Sequence, residues 1–114
     1  MLDKSVSIIL PTFNEARNVV KLVCEVKANI PQDWEYQIVV VDDNSPDDTL
    51  GCVNHSFGGD ARVVTILRTE DRGFAKSIRV GIENASGDWI IVMDSDLTHA
   101  VSYTHLTLPT ILLV

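Results

Sequence analysis

Basic residues are scarce in this 114-residue chain: 9 Lys and Arg stand against 16 Asp and Glu, a formal net charge of −7. That balance argues against a nucleic-acid backbone as partner, because affinity for one comes from neutralising phosphates with Lys and Arg. It also leaves no polybasic patch for anionic membranes. Cysteine is nearly absent. Cys24 and Cys52 have no metal-like spacing, so they read as small buried hydrophobes in a reducing compartment. No apolar run approaches the ~20 residues that cross a bilayer. Met1-Leu2-Asp3-Lys4 leads straight into a short strand, so no signal peptide is expected. Two glycine motifs for phosphate are missing as well. There is no G-x-x-x-x-G-K-[ST], and the glycine spacing around Gly73 does not fit the dinucleotide fingerprint. The length allows one domain at most.

Short aliphatic runs are plentiful. Val6–Leu10, Gln37–Val41, Arg62–Leu67 and Trp89–Met93 are nearly continuously apolar, as strands covered on both faces of a parallel sheet are. Between the first two, Val19, Leu22, Val23, Val26 and Ile30 recur at helical spacing until Pro31. Ser45-Pro46-Asp47-Asp48 predicts a helix start with Ser45 as N-cap, Pro46 in the first helical position and Asp48 reaching back. Gly58-Gly59 ends that helix. Ala75, Ile78, Ile82 and Ala85 mark a third, terminated at Gly87. The pattern β-α-β-α-β-α-β predicts an α/β fold with a doubly wound, mainly parallel sheet, the first strand flanked by the second and fourth. The ordered core is expected over residues 5–96.

The chemistry gathers where the strands end. Asp94-Ser95-Asp96 stands directly behind the last apolar run. Residues i and i+2 of an extended chain point the same way, so both carboxylates can face one point. Two carboxylates that close repel unless a cation lies between them, and a hard divalent ion completed by substrate phosphates suits them. Pro11-Thr12-Phe13-Asn14-Glu15 follows the first strand and Asp42-Asp43 the second. Arg72-Gly73-Phe74-Ala75-Lys76-Ser77 opens the third helix, whose N-terminus attracts phosphate. Ligands of open α/β sheets bind outside the carboxyl ends of the strands, so one shared site is expected. Asp47 and Asp48 are explained by helix capping alone.

Taken together, these four segments resemble the N-terminal half of a family 2, GT-A-type glycosyltransferase, a Rossmann-like nucleotide-binding half that is truncated here. The resemblance covers about residues 5–99 and is nearest to the dolichyl- or polyprenyl-phosphate mannosyltransferase and glucosyltransferase branch. It implies an inverting transfer of a hexose from a nucleotide-diphosphate sugar, of GDP-mannose or UDP-glucose type, to a polyprenyl or dolichyl phosphate. It implies that Pro11, Phe13 and Glu15 contact base and ribose, that Asp43 with Val41 alongside contacts the base, and that a residue near Arg72 lines the nucleotide pocket; the charge of Arg72 itself, at the helix N-terminus, suits a phosphate. Asp94 and Asp96 become the catalytic and metal-binding acids, holding Mg²⁺ or Mn²⁺, with Ser95 beside the substrate where most members have Ala. Ala75 departs from the second glycine that many members carry there. Leu97-Thr98-His99 fits the polyprenyl-phosphate branch. The resemblance places the full-length protein in the cytoplasm at the cytoplasmic face of a membrane, associated through a C-terminal part outside this chain.

Residues 100–114 depart from the pattern. This uncharged segment lacks helical periodicity and resembles translated adapter sequence, so residues 1–99 are expected to carry the nucleotide-sugar-binding part alone. Two other readings compete. A receiver-type signalling domain would place its acid pair after the first strand, not the second. A nucleotide-binding piece without catalytic activity, or a family 2 transferase with another acceptor, fits the same motifs.

Overall fold

The computed structural model describes residues 4–93 and 110–113. Eight elements follow in chain order: β1 (Ser5–Thr12), α1 (Val19–Asn29), β2 (Glu35–Asp42), α2 (Thr49–Phe57), β3 (Val63–Leu67), α3 (Phe74–Glu83), β4 (Trp89–Val92) and β5 (Thr110–Leu113). They build one sheet in the order β3-β2-β1-β4-β5, with every neighbouring pair parallel. β1 therefore lies between β2 and β4, as the alternating pattern predicts. One strand exceeds the expected four: Thr110–Leu113 pairs with the outer edge of β4, in register from Trp89↔Thr110 to Val92↔Leu113. A short run rich in β-branched and aliphatic residues suits an open strand edge.

The period of two along each strand divides the core. Val6, Ile8 and Leu10 of β1 and Ile38 and Val40 of β2 pack against Val19, Leu22, Val23 and Val26 of α1 and Val53 of α2. The alternate residues Ile9, Val39, Val41 and Val92 pack against Ile78 and Val80 of α3 and Ala85 beyond it. Helices thus cover both faces, which is why the strands are apolar throughout. Close approach is enforced at Gly87. A Cβ there would lie 2.6 Å from the Ser7 amide nitrogen and the Val6 carbonyl carbon. The turn into β4 is held in place by the buried Ser7 hydroxyl, which accepts from the Ser86 and Gly87 amides and donates to Gln37 Oε1.

Two local expectations are corrected. Ser45 does not cap α2, which begins four residues later at Thr49. Its hydroxyl and amide are turned back onto the Asp42 carboxylate, and Asp47 instead accepts from the Thr49 amide. Cys24 is exposed rather than buried, because it lies off the Val19–Val26 stripe of α1.

Candidate functional site

Three loops meet at the carboxyl ends of β1, β2 and β3. The first two are sewn together by side chains of the second onto backbone amides of the first. Asn14 N–H donates to Ser45 Oγ, Glu15 N–H to Thr49 Oγ1 and Ala16 N–H to Asp47 Oδ2. Beneath them Thr12 Oγ1 donates to Asp42 Oδ1 at 2.8 Å. Asn14, Asn44 and Asp48 adopt positive φ, between 56° and 60°, where Asn and Asp are tolerated better than other side chains. The hydroxyls of Ser45 and Thr49 and the carboxylate of Asp47 therefore fix the shape of the first loop. The Thr49 hydroxyl bond, with the amides of Ala16 and Thr49, holds the Asp47 carboxyl below its ordinary value.

Above this base lies an open pocket of about 220 Å³ lined by Pro11, Thr12, Phe13, Glu15, Asp43, Phe74 and Ser77. Pro11, Phe13 and Asp43 follow the strand positions whose side chains face α3 (Ile9, Val39, Val41), so alternation brings them to one side. The volume is below the ~300–1,000 Å³ of complete small-molecule sites. It suits a flat ring rather than a whole nucleotide sugar. Phe13 and Phe74 are exposed, at 44% and 56%. Exposed aromatic rings at a pocket mouth offer stacking faces. The Arg72 guanidinium lies 5.3 Å from the centroid of the Phe13 ring, a cation–π distance.

Asp43 is the wall's charged member and is held from three sides. Oδ1 accepts from Ser77 Oγ at 2.7 Å and from Arg68 Nη1 at 3.1 Å, and Oδ2 accepts from the Gly73 amide at 2.9 Å. Arg68 and Ser77 have no counterpart among the residues singled out from the sequence. Phe74 and Ser77 belong to the quoted Arg72–Ser77 segment, but nothing in that segment alone distinguishes them as pocket residues.

Of the residues expected at the site, Pro11, Phe13, Glu15 and Asp43 are brought together around this pocket, with Arg72 over Phe13. Val41 is fully buried under α3 and does not line the pocket. Asp94, Ser95 and Asp96 lie outside the described residues, as do Leu97, Thr98 and His99. Met93, immediately before them, is described. Its amide donates to the Ile9 carbonyl, two residues before Pro11. Among the described residues no group of His, Cys, Asp and Glu is arranged to hold a metal. Nor is any helix among them long and apolar enough to cross a membrane.

The chain is similar to several proteins named as transferases. The chain is 40% identical over 94 residues to a dolichol-phosphate mannosyltransferase of Pyrococcus furiosus, covering 82% of this chain and 26% of that protein. It is 32% identical over 96 residues to an undecaprenyl-phosphate 4-deoxy-4-formamido-L-arabinose transferase of Pseudomonas syringae, covering 82% and 28%. Among solved structures, the mannosyltransferase PcManGT of Pyrobaculum calidifontis, in complex with GDP-Man and Mn²⁺, superimposes with a TM-score of 0.73. It shares 28% identity over 83% of this chain and 28% of its own. TarS of S. aureus, in complex with UDP-GlcNAc, superimposes with a TM-score of 0.71 at 27% identity, over 81% of this chain and 26% of its own. This chain thus spans little more than a quarter of these relatives. The doubly wound parallel sheet matches the GT-A, Rossmann-like fold of these solved structures. The family described as Glycosyl transferase family 2 matches residues 7–108, most of the chain, and with that fold and those relatives the chain belongs to it.

Proposed function

We propose that this chain is the nucleotide-sugar-binding part of an inverting glycosyltransferase that moves a hexose from a nucleotide-diphosphate sugar to a polyprenyl or dolichyl phosphate. The observation that carries the reading is the convergence of Pro11, Phe13, Glu15 and Asp43 on one pocket at the strand carboxyl ends. Relatives that act on dolichol phosphate and undecaprenyl phosphate favour the lipid acceptor.

In this reading Phe13 stacks on the base, Asp43 accepts a base N–H, and Glu15 accepts ribose hydroxyls. Arg72 is placed at the pocket mouth, where its charge favours the diphosphate. Asp43 is a poor metal ligand, because its carboxylate already takes three donors, one of them cationic. The divalent ion is therefore assigned to Asp94 and Asp96, an all-oxygen pair suited to Mg²⁺ or Mn²⁺. When bound, the ion supplies Lewis-acid neutralisation of the diphosphate leaving group. The acceptor phosphate, with a second pKa of about 6, is already anionic at neutral pH. It attacks the anomeric carbon without a strong protein base, in a single displacement that inverts the centre. In this reading the complete protein works at the cytoplasmic face of a membrane.

The test is titration of the ¹⁵N-labelled chain with UDP and GDP in the presence of Mn²⁺. Shifts confined to the amides of Phe13, Glu15, Asp43 and Ser77 are expected. Shifts centred instead on the α1–α2 surface around Val20 and Cys52 would contradict the assignment. In the complete protein, D96A is expected to abolish hexose transfer to a short polyprenyl phosphate. Undiminished transfer would remove the metal role.

A further inference from the structure

Arg68 has no role in the reading above, yet its side chain makes four hydrogen bonds. Its Nη1 donates to Asp43 Oδ1 at 3.1 Å and to Ser77 Oγ at 3.2 Å. Its Nη2 donates to the carbonyls of Glu70 and Asp71, at 3.3 and 2.7 Å. The side chains of Arg68 and Asp43 are only 10% and 12% exposed. Its backbone amide donates to the Asp42 carbonyl, which fixes where the side chain starts.

Each carboxylate oxygen has about two acceptor directions. Arg68 and Ser77 fill both on Asp43 Oδ1, and the Gly73 amide fills one on Oδ2. One acceptor direction remains, on Oδ2, in the wall of the pocket. The same guanidinium holds the turn from Glu70 to Gly73, in which Asp71 and Gly73 have φ of 52° and 147°. That turn sets both the Gly73 amide and the start of α3, from which Phe74 and Ser77 line the pocket.

We infer that Arg68 is a positioning residue: its fork fixes the Asp43 carboxylate and the β3–α3 turn so that a single acceptor is presented to the nucleotide base. It acts through Asp43 and does not touch the ligand. A planar fork can bond a carboxylate, a hydroxyl and two carbonyls at once, and a single ammonium cannot. The inference rests on the nucleotide reading for its ligand, while the state of the Gly73 amide reports on Arg68 independently.

The experiment uses the 114-residue chain as wild type, R68M and R68K. Affinities for UDP, GDP and inorganic pyrophosphate are measured with Mn²⁺, and hydrogen exchange is followed at the Gly73 and Met93 amides. The wild type is expected to discriminate between UDP and GDP. Both variants should lose about tenfold in affinity for the preferred nucleotide, the worth of one charge-assisted hydrogen bond. Pyrophosphate affinity should be unchanged. Gly73 should exchange at least about tenfold faster, while Met93, in the sheet, keeps its protection. R68K retains the buried charge beside Asp43, so it reports on the fork even should R68M fail to fold. Retained discrimination in either variant, an equal loss for pyrophosphate, or Gly73 protection recovered in R68K would overturn the inference. Absence of nucleotide binding in the wild type would instead defeat the nucleotide reading, and Gly73 exchange would still decide whether Arg68 holds the turn.

Discussion

Arg68 Nη1 lies 3.1 Å from Asp43 Oδ1, joining the end of β3 to the end of β2 across 25 residues of sequence. Both side chains are largely withdrawn from water, so removing Asp43 leaves the Arg68 charge buried without its counter-charge. D43A should destabilise the chain by about 3 kcal/mol, the scale for breaking a buried pair from one side. Urea unfolding followed by circular dichroism measures it. A change below about 0.5 kcal/mol, the usual size of a surface substitution, would show that Asp43 does not hold the loops.

Gly87 and Gly59 form a contrasting pair. A Cβ at Gly87 meets β1 backbone at 2.6 Å, and one at Gly59 meets nothing within 4 Å. Backbone cannot swing aside as a side chain can. G87A is expected to cost about 2–3 kcal/mol, the upper part of the range for overpacking, and G59A to be near neutral. Comparable denaturation midpoints for the two variants would refute the close approach of the β4 turn to Val6 and Ser7.

The pair Lys27–Asp60 predicts a pH window. The bond to Lys27 holds the Asp60 carboxyl below its ordinary value, and the bond to Asp60 holds the Lys27 ammonium above its own. For Asp60, whose folded value is depressed, the stabilisation is full above the unfolded carboxylate range near 4 and is lost as pH falls through the folded value. For Lys27, whose folded value is raised, it is full below about 10.4 and is lost as pH rises through the folded value. Both groups are about a quarter exposed, so the effect is small. K27M should lower stability slightly across the middle of the pH range and leave both extremes little changed, which flattens the profile. Stability unchanged at neutral pH, with the acidic and basic slopes retained, would contradict the pairing.

Four of the strands and two of the helices were legible because their signal is local. β1, β2 and β4 are runs of Val and Ile that only burial on both faces explains, and the α1 stripe of Val19, Leu22, Val23 and Val26 is directly periodic. The start of α2 was not legible. Ser45-Pro46 has the form of a cap, but the Asp42 carboxylate three residues earlier takes the Ser45 hydroxyl and amide first. Cys24 was misplaced although the same α1 stripe excludes it from the buried face. At the site, Pro11, Phe13, Glu15 and Asp43 could be assembled because each ends or follows a parallel strand. Arg68 could not, since its partners are 25 and 9 residues away and only the folded sheet brings them together. The strand Thr110–Leu113 was set aside on composition, and its pairing is carried by backbone groups that composition does not report.

The central claim is that the pocket between Phe13, Asp43 and Phe74 receives a nucleotide base. Its most direct measurement is the affinity of the 114-residue chain for UDP and GDP with Mn²⁺, in the wild type and in F13A. The account predicts saturable binding of one nucleotide in the wild type. It predicts a loss in F13A of about fivefold or more, on the scale of ~1–3 kcal/mol for a base stacked on an aromatic ring, with pyrophosphate binding unaffected. Equal affinities of wild type and F13A for both nucleotides would contradict it.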